Sequence, residues 1–264
     1  MVSAEEKREE KRLERRIRER FVKAFATYGL LQDGDHVLVG LSGGKDSLCL
    51  LEMLGRRAKI HHPQFTVEAI HVRMADVDYL TSTDYLERFC QEFDVPLHIV
   101  TTSFDHPSPP TPNSKLLTQN SKLLTPNSKG KPACFLCSWN RRKQMFNLAQ
   151  QLGCNKIALG HHRDDLLITA LMNLFYQSRF ETMPASLQMN KMPLQIIRPL
   201  CLVDEADISR YAELRGYERQ VKLCPYEDNT QRNAMHRLLD SITAMNTETR
   251  HSLWNALLRE GKIH

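Results

Sequence analysis

Short runs of apolar residues alternate along the chain with longer segments in which apolar residues recur every three or four positions. The short runs have the length of buried strands, and the longer segments have the period of amphipathic helices. The predicted strands cover residues 35–41, 65–72, 96–101, 156–160 and 195–199. The predicted helices cover residues 45–54, 83–93 and 141–152, and one more begins at residue 164. This alternation predicts an α/β fold with a doubly wound, mostly parallel sheet.

Both ends of the chain lie outside this alternation. Residues 4–28 are mostly charged, but apolar side chains recur at every fourth position, at Leu13, Ile17, Phe21 and Phe25. That spacing predicts a solvated helix that packs along one edge. A helical segment is also predicted from about residue 229 to the end. We therefore divide the chain into a charged N-terminal helix (1–34), a central domain (35–224) and a helical C-terminal extension (225–264).

Residues 103–132 interrupt the rhythm of strands and helices. Residues 112–118 read PNSKLLT, and residues 119–125 repeat them as QNSKLLT. Two copies flanked by proline are too few for a coiled coil. The pattern predicts a flexible, low-complexity insertion within the central domain.

Composition narrows the class of protein. The chain has 264 residues, with 36 Lys and Arg against 31 Asp and Glu, and a formal charge of +5. No apolar run approaches the roughly 18 residues of a membrane helix, and the first twenty residues lack the apolar core of a secretory signal. We expect a cytoplasmic protein with no membrane partner. The surplus of positive charge is compatible with a polyanionic partner but does not identify one.

The seven cysteines are an odd number in an expected reducing compartment, so a disulfide framework is not predicted. Cys49, Cys90, Cys154 and Cys201 stand singly among apolar or helix-forming neighbours, and we expect them to be core residues. The remaining three, Cys134, Cys137 and Cys224, require another explanation.

The segment Ser42–Ser47 reads SGGKDS and forms a glycine-rich turn between the first predicted strand and the helix that follows it. In open α/β sheets the backbone amides and the positive helix end at such a turn bind phosphates. Gly43 and Gly44 permit the tight turn. The segment is not a Walker A motif, because it is one residue short and Asp46 stands where Ser or Thr is required. Phosphate binding is the prediction, and a structural turn capped by Asp46 is the alternative.

Residues 160–165 read GHHRDD and connect the fourth predicted strand to the next helix. One interpretation is that Asp164 or Asp165 only caps this helix. The other is that His162 and Asp165 line the same crevice as Ser42–Ser47, because both segments follow the carboxyl ends of strands. Adjacent histidines and carboxylates are costly to leave without partners, which favours the second interpretation.

Cys134 and Cys137 form the only C-x-x-C of the chain, at a predicted junction between a loop and a helix. A lone C-x-x-C can be a redox pair, half of a zinc site or two ligands of an iron–sulfur cluster. Cys224 lies far along the chain, before the final helices. Three thiolates can hold a [4Fe–4S] cluster and leave one iron open.

The hexapeptide Ser42–Ser47 resembles the pyrophosphatase loop of the PP-loop ATP-pyrophosphatase superfamily, whose fold is adenine nucleotide α-hydrolase-like. These enzymes split ATP between its α- and β-phosphates. The resemblance implies that Ser42, Gly43, Gly44, Lys45, Asp46 and Ser47 bind ATP together with Gly160 and His162. It also implies catalytic roles for Lys45, Asp46 and Asp165, with Asp46 holding Mg²⁺ and Lys45 neutralising developing charge.

Further segments resemble one branch of this superfamily, the tRNA 2-thiocytidine synthetase family. They are residues 37–47, 134–142, 156–165, 173–176, 198–200 and 224–232. That family adenylates the C2 oxygen of the cytidine at tRNA position 32 and replaces it with sulfur. The resemblance implies an ATP-dependent tRNA sulfurtransferase whose [4Fe–4S] cluster is bound by Cys134, Cys137 and Cys224.

The resemblance also implies partners for the chain. They are tRNA, a sulfur donor such as a cysteine desulfurase, and a second copy of the chain in a homodimer. The candidate contacts to tRNA phosphates are the N-terminal helix and Arg141, Arg142 and Lys143, and for each basic residue a solvated face is the alternative.

Two features depart from the family. Its members usually continue the third cysteine as C-x-x-C-G, whereas Cys224 is followed by Pro225, Tyr226 and Glu227. The insertion at 103–132 is also longer and more repetitive than expected. The alternatives are a lysidine synthetase, a 2-thiouridine synthetase, and a non-catalytic nucleotide-binding module with a structural zinc. The three cysteines disfavour the first, and the absence of any cysteine before Cys49 disfavours the second.

Overall fold

The computed structural model describes residues 3–75, 77–103, 133–190, 192–223 and 231–263. Its strands are β1 (His36–Gly40), β2 (Thr66–Met74), β3 (Asp78–Tyr79), β4 (Leu97–Thr102), β5 (Lys156–Ala158), β6 (Ser186–Gln188), β7 (Gln195–Ile197) and β8 (Lys222–Leu223). Its helices are α1 (Ala4–Tyr28), α2 (Lys45–Ala58), α3 (Asp84–Glu92), α4 (Ala133–Leu152), α5 (Arg163–Gln177), α6 (Glu205–Arg215), α7 (Gln231–Met245) and α8 (Thr249–Arg259).

A six-stranded sheet forms the centre of the molecule, in the order β4-β2-β1-β5-β7-β6. All neighbouring pairs are parallel except β6 and β7, which pair antiparallel at the edge. From β1 the chain crosses to β2 on one side, and it later returns to β5 on the other side of β1. The carboxyl ends of β1 and β5 therefore meet at a topological switch point, where open α/β sheets bind ligands.

Helices cover both faces of the sheet, which confirms the predicted fold class. One face carries a large apolar core to which α1, α2, α5 and α6 contribute. The other face packs on α4, and its smaller core includes Leu38, Ile70, Ala149 and Ile157. Cys49, Cys90, Cys154 and Cys201 are buried, as predicted for core residues.

Helix α1 packs along one edge, as its pattern predicts. Leu13, Ile17 and Phe21 are buried in the large core. Arg16 and Arg20 form ion pairs with Asp207 and Asp204 of the α6 region. These contacts place the charged N-terminal helix against α6, the helix that begins with Glu205.

The predicted helices differ from the structure at two places. Helix α4 begins at Ala133, and not at Arg141 as predicted. Its first turns gave no helical pattern because they carry exposed apolar side chains, so apolar and polar residues do not separate onto two faces. Helix α6 was not predicted, since its buried residues are few. The C-terminal extension is helical, as predicted, and consists of α7 and α8, with a turn between them in which the Asn246 side chain accepts the Glu248 N–H at 3.0 Å.

Some predictions fall outside the described residues. These are the insertion from residue 104 to residue 132, the side chain of Cys134 and the whole of Cys224. In the part of the chain that the structure covers, no helix is long and apolar enough to cross a membrane.

Candidate functional site

The segment Ser42–Ser47 forms a closed loop between β1 and α2. The Ser42 hydroxyl lies 3.1 Å from Ser47 Oγ and accepts the Gly44 N–H at 3.3 Å. The Ser47 hydroxyl donates to the Gly44 carbonyl at 2.9 Å. These bonds fix the turn before α2, whose first amide groups have no acceptor within the helix. Those amides and the positive end of the helix macrodipole make the loop a preformed anion site.

Gly43 allows another segment to cover this loop. Its φ is +81°, a conformation that favours glycine, and a Cβ here would lie 2.3 Å from Gln220 Cγ. The Gln220 N–H donates to the Gly43 carbonyl at 3.0 Å. The chain that enters β8 is therefore held directly on the phosphate loop.

Lys45 lies between two carboxylates at the start of α2. Its Nζ is 3.0 Å from Asp46 Oδ1 and 3.0 Å from Glu205 Oε1. Burial opposes the charged ammonium, but Asp46 and Glu205 outweigh it and raise the pKa of Lys45. Although burial acts in the other direction, His236 and Lys45 lower the pKa of Glu205 to about 2. Lys45 thus carries a fixed positive charge beside the phosphate loop at neutral pH.

The GHHRDD segment meets this loop at the switch point. A Cβ on Gly160 would lie 3.0 Å from the Asp46 carbonyl carbon, so the two backbones touch. The buried His162 has its Nε2 3.8 Å from Asp46 Oδ1 and 3.5 Å from Asp165 Oδ2. The structure therefore brings His162, Asp165 and Asp46 together at one edge of the sheet.

Asp165 caps helix α5 and also pairs with a residue of the C-terminal extension. Its Oδ2 accepts the His162 N–H at 3.0 Å, which caps α5. Its Oδ1 pairs with Arg232 of α7. Burial opposes ionisation, but His162 and Arg232 lower the pKa of Asp165, so the carboxylate is charged. Asp164 instead accepts the Glu205 N–H at 2.9 Å and the Arg250 Nε–H at 2.7 Å.

Three site residues were missed by the sequence reasoning, namely Glu205, Arg232 and His236. Glu205 opens the unpredicted helix α6, and the other two project from α7. His236 Nε2 is 3.0 Å from Glu205 Oε2, and its Nδ1 is 2.9 Å from Asp240 Oδ2. A run of alternating charges thus joins the C-terminal helices to Lys45. Their spacing along the chain gave no signal, because the contacts are formed only by tertiary packing.

The links from His236 predict a pH-dependent stability. The bond to Glu205, against partial desolvation, raises the pKa of His236. A raised pKa stabilises the fold fully below the unfolded value of about 6.5 and loses this effect as the pH rises through the folded value. We expect H236Q to lower the free energy of unfolding more at about pH 5.5 than at about pH 9.

Urea denaturation of H236Q and wild type at the two pH values measures this difference. The same substitution in an E205Q background serves as the control, and its pH dependence should be smaller. An equal loss of stability for H236Q at both pH values would contradict the assignment.

A cavity of about 330 Å³ opens beside the phosphate loop. Ser42 and Gly44 form one side of it, and Arg141 and Gln220 form part of the rim. Its apolar walls come from β2, α4 and the residue after β5, namely Ile70, Val72, Met145 and Leu159. The volume lies in the range of about 300–1,000 Å³ that is typical of small-molecule sites. An apolar slot next to an anion loop suits a nucleotide.

The structure separates the three basic residues that were predicted to contact RNA. Arg141 turns inward, lines the cavity and donates from Nη2 to the Tyr79 hydroxyl at 3.4 Å. Arg142 bonds to Ser138 in the preceding turn of α4. Lys143 lies over the Trp139 ring, with Nζ 5.5 Å from the ring centre. Of the three, Arg141 is the one that lines the cavity.

Cys137 lies in the N-terminal part of α4, half-buried and unbridged. No group of three metal-ligating side chains is found among the described residues. The described segments on either side of Cys224 contact two other parts of the molecule. Strand β8 pairs antiparallel with β3, whose Tyr79 contacts Arg141 of α4. On the other flank, Arg232 contacts Asp165.

The fold and the loop after its first strand define an α/β protein of the PP-loop type. A family model described as "PP-loop domain" matches residues 137–241 of the chain. This span does not include the loop at 42–47. The U34-tRNA thiolase NcsA from Methanococcus maripaludis, solved with its [4Fe–4S] cluster, has a similar fold. Its TM-score is 0.70 at 21% identity, and the match covers 95% of this chain and 79% of that one.

Sequence relatives narrow the class. A tRNA-cytidine(32) 2-sulfurtransferase from Acinetobacter baumannii is 33% identical over 238 residues, which cover 89% of this chain and 72% of the relative. The enzyme of that name from Methylococcus capsulatus is 36% identical over 219 residues, or 82% and 70% of the two chains. The chain belongs to the tRNA-cytidine(32) 2-sulfurtransferase family. This confirms the resemblance seen in the motifs.

Proposed function

We propose that the protein uses ATP to adenylate the C2 oxygen of a tRNA cytidine, at position 32, and then replaces that oxygen with sulfur. The observation that carries the proposal is the junction of the phosphate loop with His162, Asp165 and Lys45 at the switch point of the sheet. Membership of the 2-sulfurtransferase family supports the choice of substrate.

In the first step the cytidine C2 oxygen attacks the α-phosphorus of ATP, and the bond to the β-phosphate oxygen breaks. The loop Ser42–Ser47 holds the departing pyrophosphate through backbone amides. The fixed charge of Lys45 stabilises the negative charge that develops there. Asp46, the partly exposed carboxylate of the loop, is the residue proposed to hold Mg²⁺.

In the second step a sulfur nucleophile attacks C2, and AMP leaves with the original oxygen. Adenylation makes this possible because it converts a poor leaving group into a good one. The sulfur originates from a donor such as a cysteine desulfurase.

We assign the binding of a [4Fe–4S] cluster to Cys134, Cys137 and Cys224. Three observations support the fit: Cys137 is an unbridged thiol, it lies near the start of a helix that borders the cavity, and the described segments before and after Cys224 contact β3 and Asp165. A cluster bound by three thiolates has one iron with an open coordination position, which can bind sulfur. The protein's part is to hold the thiolates beside the nucleotide cavity.

The contact between Gly160 and Asp46 yields a prediction for ATP binding. In G160A the new methyl group would meet the Asp46 carbonyl oxygen and the Ser47 nitrogen at 3.1 Å, so the first turn of α2 must move. Because positioning errors of this kind are costly, we expect the Kd for ATP to rise roughly tenfold or more. Isothermal titration calorimetry measures it, with the melting temperature as a check on folding. A folded G160A protein with wild-type affinity would refute the contact's role.

Mass spectrometry of tRNA nucleosides tests the proposed reaction. Cells that lack the gene should lose 2-thiocytidine and regain it when the wild-type gene is returned. Loss of lysidine or 2-thiouridine instead would favour another PP-loop enzyme. An unchanged nucleoside profile would contradict the proposal.

A further inference from the structure

Helix α4 carries an exposed surface that combines aromatic and basic side chains, which we call the outer face of α4. It consists of Phe135, Trp139, Arg142 and Lys143. Residues three and four apart share one face of a helix, so these side chains form a continuous strip. Trp139 is 50% exposed and Phe135 is 45% exposed. The chain's other tryptophan, Trp254, is only 7% exposed.

The basic members of this strip are Arg142 and Lys143. Among the described residues, neither Arg142 nor Lys143 forms an ion pair with a carboxylate. Arg142 bonds to the hydroxyl and carbonyl of Ser138, at 2.9 and 3.3 Å, and these bonds hold its guanidinium along the helix. Lys143 lies over the Trp139 ring at a distance within the usual cation–π range of about 6 Å. The strip therefore presents an aromatic ring together with two cationic side chains from the next turn of α4.

The strip is close to the candidate site. Arg141 and Met145, on the opposite side of the same helix, line the nucleotide cavity. Cys137 lies two residues before Trp139 in the chain. A molecule bound to the outer face of α4 would thus be separated from the cavity by one helix diameter, roughly 10–12 Å.

These features match single-stranded nucleic acid. Unpaired bases stack on exposed aromatic rings, and their phosphates are bound by neighbouring Arg and Lys side chains. An apolar protein partner would leave the two cations desolvated and unpaired, which is costly. An anionic partner with unstacked planar groups satisfies both parts of the strip.

We propose that the outer face of α4 binds the single-stranded loop of the tRNA that carries the target cytidine, with an unpaired base stacked on Trp139. Arg142 and Lys143 contact the phosphates on either side of that base. This inference rests on the proposed function and names a binding surface for its substrate.

Tryptophan fluorescence gives a direct test, because the chain has two tryptophans. In W254F, Trp139 is the only tryptophan, so the tryptophan emission reports on this residue alone. Saturating unmodified tRNA should quench its emission and protect it from acrylamide. Emission that does not change while tRNA binds would overturn the inference.

Affinity measurements complete the test. W139A should weaken tRNA binding by about tenfold or more, whereas W139F, which keeps a stacking ring, should stay within about threefold of wild type. R142Q and K143Q should each lower the slope of log Kd against log salt by about one. K59Q, at the far end of α2, is the matched charge control and should change neither quantity.

The outcomes distinguish the two proposals. Wild-type affinity in W139A would overturn the stacking surface and leave the proposed function standing. Failure of the wild-type protein to bind tRNA would overturn both. Unchanged ATP binding in W139A shows that the variant is folded.

Discussion

Replacing Lys45 with alanine is expected to slow tRNA-dependent AMP formation by ~10²–10³-fold, the usual effect of losing one preorganised charge at a developing anion. Lys45 Nζ is held by Asp46 and Glu205 at 3.0 Å each, so its position is set before substrate binds. Because the lysine acts on charge that develops as pyrophosphate leaves, the rate should fall far more than the affinity for ATP.

Chromatographic measurement of AMP, with and without tRNA, gives the rate for K45A. The exposed Lys59, beyond the end of α2, provides the control variant K59A, which should behave like wild type. A rate for folded K45A within threefold of wild type would remove Lys45 from the catalytic site.

Replacing Cys137 with alanine is expected to abolish formation of 2-thiocytidine. The proposed cluster would lose one of its three thiolates, and the protein its route for delivering sulfur. ATP binding should remain, because Cys137 lies on α4 while the phosphate loop is formed by residues between β1 and α2. C137A should therefore separate the nucleotide half of the reaction from the sulfur half.

Iron and acid-labile sulfide, measured in anaerobically purified protein, should be lost from C137A together with the brown absorbance. The matched control is C154A, because Cys154 is a buried residue of the smaller core and is not a proposed ligand. C154A should keep its iron even if its melting temperature falls. If an iron-free C137A protein still thiolated tRNA, the assignment of the cluster to this cysteine would be contradicted. Zinc instead of iron in the purified wild-type protein would favour the alternative with a structural zinc.

The sequence was sufficient to predict the parts of the fold that have local signals. Strands β1 and β5 are short apolar runs, and each is followed by a turn with polar residues that parallel topology brings to one edge. The meeting of Asp46, His162 and Asp165 follows from that rule alone. The buried positions of α1 follow from its period of four.

Other features could not be predicted because they depend on tertiary contacts. Helix α6 buries only a few residues, so its pattern is weak, yet it places Glu205 on Lys45. Arg232 and His236 lie on a helix whose apolar stripe explains its packing and says nothing about its polar side. The early start of α4 was missed because Trp139 stands on the solvent-facing side of the helix. An apolar residue at such a position does not fit the pattern by which an amphipathic helix is recognised.

Asp165 illustrates why cap and site interpretations need not compete. The same carboxylate caps α5 through the His162 N–H and pairs with Arg232 of α7. Holding the cap fixes the orientation of His162, which faces Asp46. The same carboxylate therefore links the end of a helix to the candidate site.

Reconstitution of the whole reaction tests the central claim most directly. Anaerobically purified protein, loaded with iron and sulfide, would be incubated with ATP, Mg²⁺, a sulfide source and unmodified tRNA, and both AMP and 2-thiocytidine would be quantified. We predict that the two products form in equal amounts and that neither forms without ATP. Formation of 2-thiocytidine without ATP cleavage, or steady release of AMP with no thiolated nucleoside, would contradict an adenylated cytidine as the link between the phosphate loop and the sulfur chemistry.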